Sequence, residues 1–224
     1  MRKFTLSALC LTGAALLPFA HAHEQGDWLV RGGLTTVAPD ETSSNIIAGG
    51  GDLGVALTID NDSQFGINVA YFITDNINIE LLAATPFKHQ VNFSLPDPLG
   101  TGNQLGEVTH LPPTLTANYY FNDSSAALQP YIGAGINYTF IYDESFTSTN
   151  SDAGLTDLSL DNSFGLSAQI GLDYKIDEVW HINGSVRYID IDTEATFNVG
   201  EAKGSVNNIE IDPWVYTVSV GYTF

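Results

Sequence analysis

The sequence predicts an all-β chain folded as one eight-stranded antiparallel transmembrane β-barrel with short periplasmic turns and long extracellular loops. Three observations predict it. Segments of strict apolar–polar alternation recur along the chain, and no stretch holds a helical period. The links between these segments alternate in length. No Asp, Glu, Lys or Arg falls on the apolar parity of any segment.

The first residues read as a signal segment. Arg2 and Lys3 precede an apolar stretch from Phe4 to Leu17, and Ala20-His21-Ala22 has the small-x-small pattern of a cleavage site. We therefore expect cleavage after Ala22, with 23–224 forming the barrel. The apolar stretch is shorter than the roughly 18 residues a spanning helix needs. Cleavage also removes Cys10, the sole cysteine, so disulfides are not expected to hold the mature fold.

The strands follow in order. Trp28–Thr36 comes first, then Phe65–Phe72, with Phe65, Ile67, Val69 and Tyr71 on one parity. A tight turn at Asp75-Asn76 leads to Ile77–Ala84. Leu111–Phe121 and Pro130–Ile141 continue the pattern. Ser163–Tyr174 is the clearest segment: Phe164, Leu166, Ala168, Ile170, Leu172 and Tyr174 alternate with polar or tiny residues. Trp180–Tyr188 and Trp214–Phe224 complete the set. Long links (37–64, 88–109, 143–162, 189–210) interleave with short ones (74–76, 122–129, 175–179). That rhythm fits an outer-membrane barrel with both termini on the periplasmic side.

The choice of lipid over a soluble core rests on sidedness. The opposite parity holds Arg31, Glu80, Asp173, Arg187, His110 and His181. An eight-stranded lumen accommodates little more than one layer of side chains, so the many large apolar residues must face outward. An outward apolar band is stable only in hydrocarbon. Aromatics gather at strand ends: Trp28, Tyr71, Tyr119, Phe121, Tyr174, Trp180, Tyr222 and Phe224 at the periplasmic rim, Phe140, Phe164, Tyr188 and Trp214 opposite. The alternating stretch Val218, Val220, Tyr222, Phe224 ends the chain, and Phe224 reads as a signal to the barrel-assembly machinery. Acids outnumber bases 26 to 7, which argues against nucleic acid as a partner.

Site chemistry is sparse. The histidines show no ligand spacing, and Asp190-x-Asp192 and Asp60-x-Asp62 lack the Gly and Glu of a calcium loop, so no metal or other cofactor is expected. Gly49-Gly50-Gly51 lacks the Lys-Ser/Thr of a phosphate loop. A hydrolytic site from His89, His110 and Ser94 is the weakest reading, since no nucleophile motif surrounds them, and catalysis is not expected. The lumen says more. Arg31, Glu80, His181 and Arg187 are candidates to fill its base, with Arg31 and Glu80 at similar heights. Leu82, Ala84, Ile141, Ile189 and Val215 make the inward positions near the mouth apolar. Pro86, Pro112 and Pro113 fall at the outer ends of neighbouring strands and donate no ladder hydrogen bond. Either they merely end those strands or they leave a lateral gap facing the bilayer.

The segments Leu81–Phe87, His110–Leu115, Pro130–Tyr138, Ala153–Leu160, Tyr188–Thr193 and Asp212–Val215 resemble the OmpW family of outer-membrane proteins. The likeness runs through nearly the whole mature chain. It implies a narrow hydrophobic channel passing small hydrophobic molecules and releasing them sideways into the membrane. The rival expectation is a plugged barrel that displays acidic loops for adhesion or for cation, phage or bacteriocin binding.

Overall fold

A computed structural model describes residues 23–96 and 98–224; the expected signal segment, 1–22, lies outside them. Eight long strands form the wall: β1 (Trp28–Ala38), β2 (Asp62–Thr74), β3 (Ile77–Ala84), β4 (Thr114–Tyr120), β5 (Leu128–Phe146), β6 (Ser163–Lys175), β7 (Trp180–Ile189) and β8 (Trp214–Thr223). Each pairs antiparallel with its neighbours in sequence, and β1 pairs with β8 from Leu29↔Thr223 to Ala38↔Trp214. Closure gives every wall strand a partner on both sides, as a bilayer requires, with an interruption only at the outer ends of β3 and β4. Phe224 N–H adds a last bond to the Trp28 carbonyl at 2.8 Å.

The pleat sends alternate residues to opposite faces, and the two faces differ sharply. Leu34, Phe65, Leu166 and Val218 are 59%, 55%, 64% and 66% exposed, while Arg31 and Glu80 are 0% and 1% exposed. Apolar residues therefore look outward and charged ones inward. Aromatic pairs mark both ends of the outer band: Trp28–Tyr71 (5.0 Å between centroids) and Trp180–Tyr222 (5.0 Å) beside the short turns, Tyr138–Phe140 (4.7 Å) and Tyr188–Trp214 (5.4 Å) at the other end. Among the described residues no helix is long and apolar enough to cross a membrane; strands do the crossing.

Two expectations about the links need correction. The segment expected to begin at Leu111 is split, because Leu111 ends a separate strand, Gln104–Leu111, and the wall strand β4 starts only at Thr114, after Pro112 and Pro113. The long links are also largely strand rather than loop. Leu57–Ile59, Phe87–Phe93 and Gln104–Leu111 pair in series and join the overrunning end of β5, from Phe140 to Phe146. A second sheet joins Leu155–Leu160, Asp192–Val199 and Ala202–Glu210 with the short pieces Thr42–Ser43, Ile47–Ala48 and Gly51–Asp52. Gly49 and Gly50, both at positive φ (57° and 81°), make the two-residue turn between the last two pieces. The glycine run is thus a hairpin corner.

Candidate functional site

From the short-turn end upward the lumen is built in layers. Leu29, Ala70, Phe72, Tyr120 and Tyr131 form an apolar base, and the His23 ring stacks on Phe72 with centroids 4.1 Å apart. Above lies a charged layer. Arg31 Nη1 donates to Glu80 Oε2 at 2.6 Å, and its Nε and Nη2 donate to the Asp173 carboxylate. Arg187 Nη2 donates to Glu80 Oε1 at 2.8 Å and to Gln169 Oε1 at 2.6 Å. Tyr120 Oη donates to Asp173 at 3.0 Å. Two guanidiniums and two carboxylates thus sit together, each with hydrogen-bonded partners, as burial of charge demands. His181 lies nearer the rim, 2.8 Å from Thr223 Oγ1, outside this network.

A second apolar layer, Val37, Phe87, Ile189, Ile191 and Val215, closes the upper lumen, with Ala84 packed against it. Leu82 is buried on the same inward face of β3. Beyond this layer the four long connections enclose a chamber of about 320 Å³. Each contributes wall: Ile46 and Leu57 from the first, Leu105 from the second, Leu155 from the third, Phe197 and Val206 from the fourth. Of the five apolar mouth residues singled out from sequence, Ile141 lines the chamber, whereas Ile189 and Val215 belong to the layer beneath it. The loop-borne lining was missed, although its signal was there: Phe87, His89, Val91 and Phe93 alternate with Lys88, Gln90 and Asn92.

The wall has a break below the chamber. The β3–β4 ladder runs from Ile77↔Tyr119 to Leu82↔Thr114 and stops. Pairing resumes only at Phe87↔His110, in the extramembrane hairpin. Pro86 on one side and Pro112 and Pro113 on the other occupy the interval; none has an N–H to offer. The Pro113 carbonyl turns to β5 instead, accepting from Tyr138 N at 3.2 Å. Pro86 is exposed and Pro112 buried, so the unpaired interval has one proline at the outer surface and one turned inward.

His89 and His110, distant in sequence, meet at the chamber's surface with their Nε2 atoms 2.9 Å apart. They stand above the outer aromatic girdle, and the His110 ring is 5.5 Å from Phe87. Burial pushes both imidazoles down, His110 to about 3 with help from the neighbouring His89, so both are neutral at pH 7. Ser94 does not join them: its Oγ accepts from Ala56 N at 3.0 Å, and no described hydroxyl bonds to either ring. Among the described residues no nucleophile–base pair is assembled there. Asp190, Asp192 and Asp212 also converge, with ligand atoms within 4.8 Å of one another, but Asp212 already accepts from Tyr188 Oη (2.7 Å) and Ile191 N (3.0 Å).

A closed barrel with an apolar outer belt, a charged interior and an apolar chamber above it defines an outer-membrane β-barrel protein. Comparison places it more closely. The OmpW family model matches residues 24–224, and the chain belongs to that family. Outer membrane protein W of Vibrio cholerae is 40% identical over 222 residues, covering 99% of this chain and 100% of the relative. Outer membrane protein W of Escherichia coli K12 is 43% identical over 224 residues, the full length of both. The crystal structure of OprG from Pseudomonas aeruginosa superposes with a TM-score of 0.84 at 39% identity, covering 91% of this chain and 98% of that one.

Proposed function

We propose that the chamber receives small hydrophobic molecules from outside and passes them sideways into the membrane through the break between β3 and β4. The observation that carries this reading is the chamber itself: about 320 Å³ with a nearly uninterrupted apolar lining. Removing apolar surface from water yields about 25 cal/mol per Å², so a solute gains by entering and loses nothing by continuing into hydrocarbon. The filled layers beneath favour a sideways exit over an axial one, because an apolar solute moving down the axis would have to displace paired buried charges. A more distant relative, 27% identical over 203 residues, bears the name dibenzothiophene metabolism operon protein PahQ, which refers to an apolar aromatic compound. A barrel that only displays acidic loops would need no such chamber.

The test is the rate at which N-phenyl-1-naphthylamine fluorescence rises in Gram-negative cells expressing the chain. Expression should speed the rise. Ile141→Trp, filling the chamber, and the double change Pro112→Ala/Pro113→Ala, restoring ladder donors, should each return it to the level of cells without the chain. An unchanged rate in Ile141→Trp would remove the chamber from the route; an unchanged rate in the proline variant alone would remove the lateral exit.

A further inference from the structure

The chamber's two polar side chains give it a chemical preference, an inference that rests on the proposed role of the chamber as a binding space for apolar molecules. Among the described lining residues His89 and His110 are alone in carrying polar side-chain atoms. Their protons can be assigned in sequence. The Asp60 carbonyl can only accept, so His89 Nδ1, 2.6 Å away, carries the hydrogen. A neutral imidazole has a single N–H, which makes His89 Nε2 an acceptor. His110 Nε2, facing it at 2.9 Å, must then be the donor. That leaves His110 Nδ1 as a lone pair to which none of the described residues donates.

We infer that the chamber selects apolar molecules bearing a hydroxyl, aliphatic alcohols or phenols, whose O–H donates to His110 Nδ1. When an apolar molecule fills the chamber it displaces water from this acceptor, which then lacks a partner unless the molecule itself brings a donor. A hydrocarbon leaves it unsatisfied. An ether or ketone sets a second lone pair against it. A carboxylate brings negative charge as well, and the imidazoles stay neutral because burial disfavours protonation. The Asp62 carboxylate, whose charge acts on both rings, adds to that exclusion.

Octan-1-ol and heptyl methyl ether are isomers that differ in possessing the donor, and octanoate supplies the anionic arm. The full-length chain, isotope-labelled at isoleucine methyls and histidine ring nitrogens, is titrated with each in phosphatidylcholine nanodiscs. The Ile141 methyl shift reports occupancy, corrected for each probe's partition into protein-free discs. The wild type should bind octan-1-ol about five- to tenfold more tightly than the ether, the worth of one hydrogen bond, and octanoate less tightly than octan-1-ol. In His110→Phe the ratio of alcohol to ether should fall to about one. Independently of how that variant folds, the wild-type His110 Nδ1 resonance should move with octan-1-ol and stay put with the ether. Equal wild-type affinities, or an Nδ1 resonance indifferent to the alcohol, would overturn the hydroxyl preference alone. If no probe moves the Ile141 methyl, the chamber takes no apolar molecule and the proposed function falls with it.

Discussion

Glu80 answers two arginines at once, one through each carboxylate oxygen, while Asp173 answers Arg31 from the other side of the lumen. The layer is balanced only as a set. Glu80→Gln would leave two buried guanidiniums facing one carboxylate, and we expect a loss of about 3–5 kcal/mol, measured by urea titration of the barrel in lipid vesicles. Removing the surplus cation as well, in Glu80→Gln/Arg187→Leu, should recover part of that loss because Arg31 and Asp173 still match. Strictly additive costs in the two single variants and the double would show that the four groups do not act together. At this scale the sequence was informative but incomplete. Alternation alone turned Arg31 and Glu80 inward at matching distances from the short turns. It could not say that Asp173 and Arg187 would reach the same point, because that depends on β6 and β7 curving round to face β1 and β3. The sequence grouped His89 and His110 with Ser94 near the same rim but did not show their direct contact, which depends on the register Phe87↔His110 set by a hairpin whose turn residues give little hint of it.

Among elements, the hairpin of Phe87–Phe93 and Gln104–Leu111 departs most from what alternating link lengths suggest. Its period-two pattern is as clear as that of several wall strands, yet its position between wall strands makes it read as loop. What raises it into a sheet is β5. Nineteen residues long, β5 extends roughly 60 Å at about 3.3 Å per residue, far beyond the 9–11 residues a tilted crossing needs. Its free upper edge gives the hairpin a partner. The neutral histidine pair makes this element sensitive to acid. In the folded chain the pair sits below the ordinary imidazole value, His110 at about 3. An opened hairpin takes up protons near pH 6.5. Nothing changes above that pH. As pH falls from about 6.5 toward 3, the open form binds a proton that His110 in the closed form refuses, and the hairpin loses up to about 1.4 kcal/mol per pH unit on that account, with His89 adding in the same direction. Hydrogen exchange of the hairpin amides, corrected for intrinsic rates, should therefore show falling protection between pH 7 and 4.5, and a shallower fall in His110→Phe. Protection that stays level across this range would count against buried neutral rings.

At the scale of the whole molecule the decisive property is inversion: the large apolar side chains of the wall are exposed and the charges enclosed. This was the most legible feature, since a strand's period of two assigns every residue to one face or the other, and a single charge on the wrong parity would have spoiled the pattern. Placing the chamber was beyond that logic, because its lining comes from four connections separated along the chain and only the three-dimensional closure of the barrel draws them together. The inverted surface predicts that the chain without detergent or lipid will associate. Sedimentation should show aggregates in plain buffer and a discrete species once detergent micelles are supplied, and a folded, monodisperse species in buffer alone would be incompatible with the outward belt. The stacked layers below the chamber have a further effect. With Arg31, Glu80 and Tyr120 all but inaccessible, side chains occupy the lower cylinder, and planar-bilayer recordings should show no steady axial ion current, whereas a sustained current would mean that these layers open.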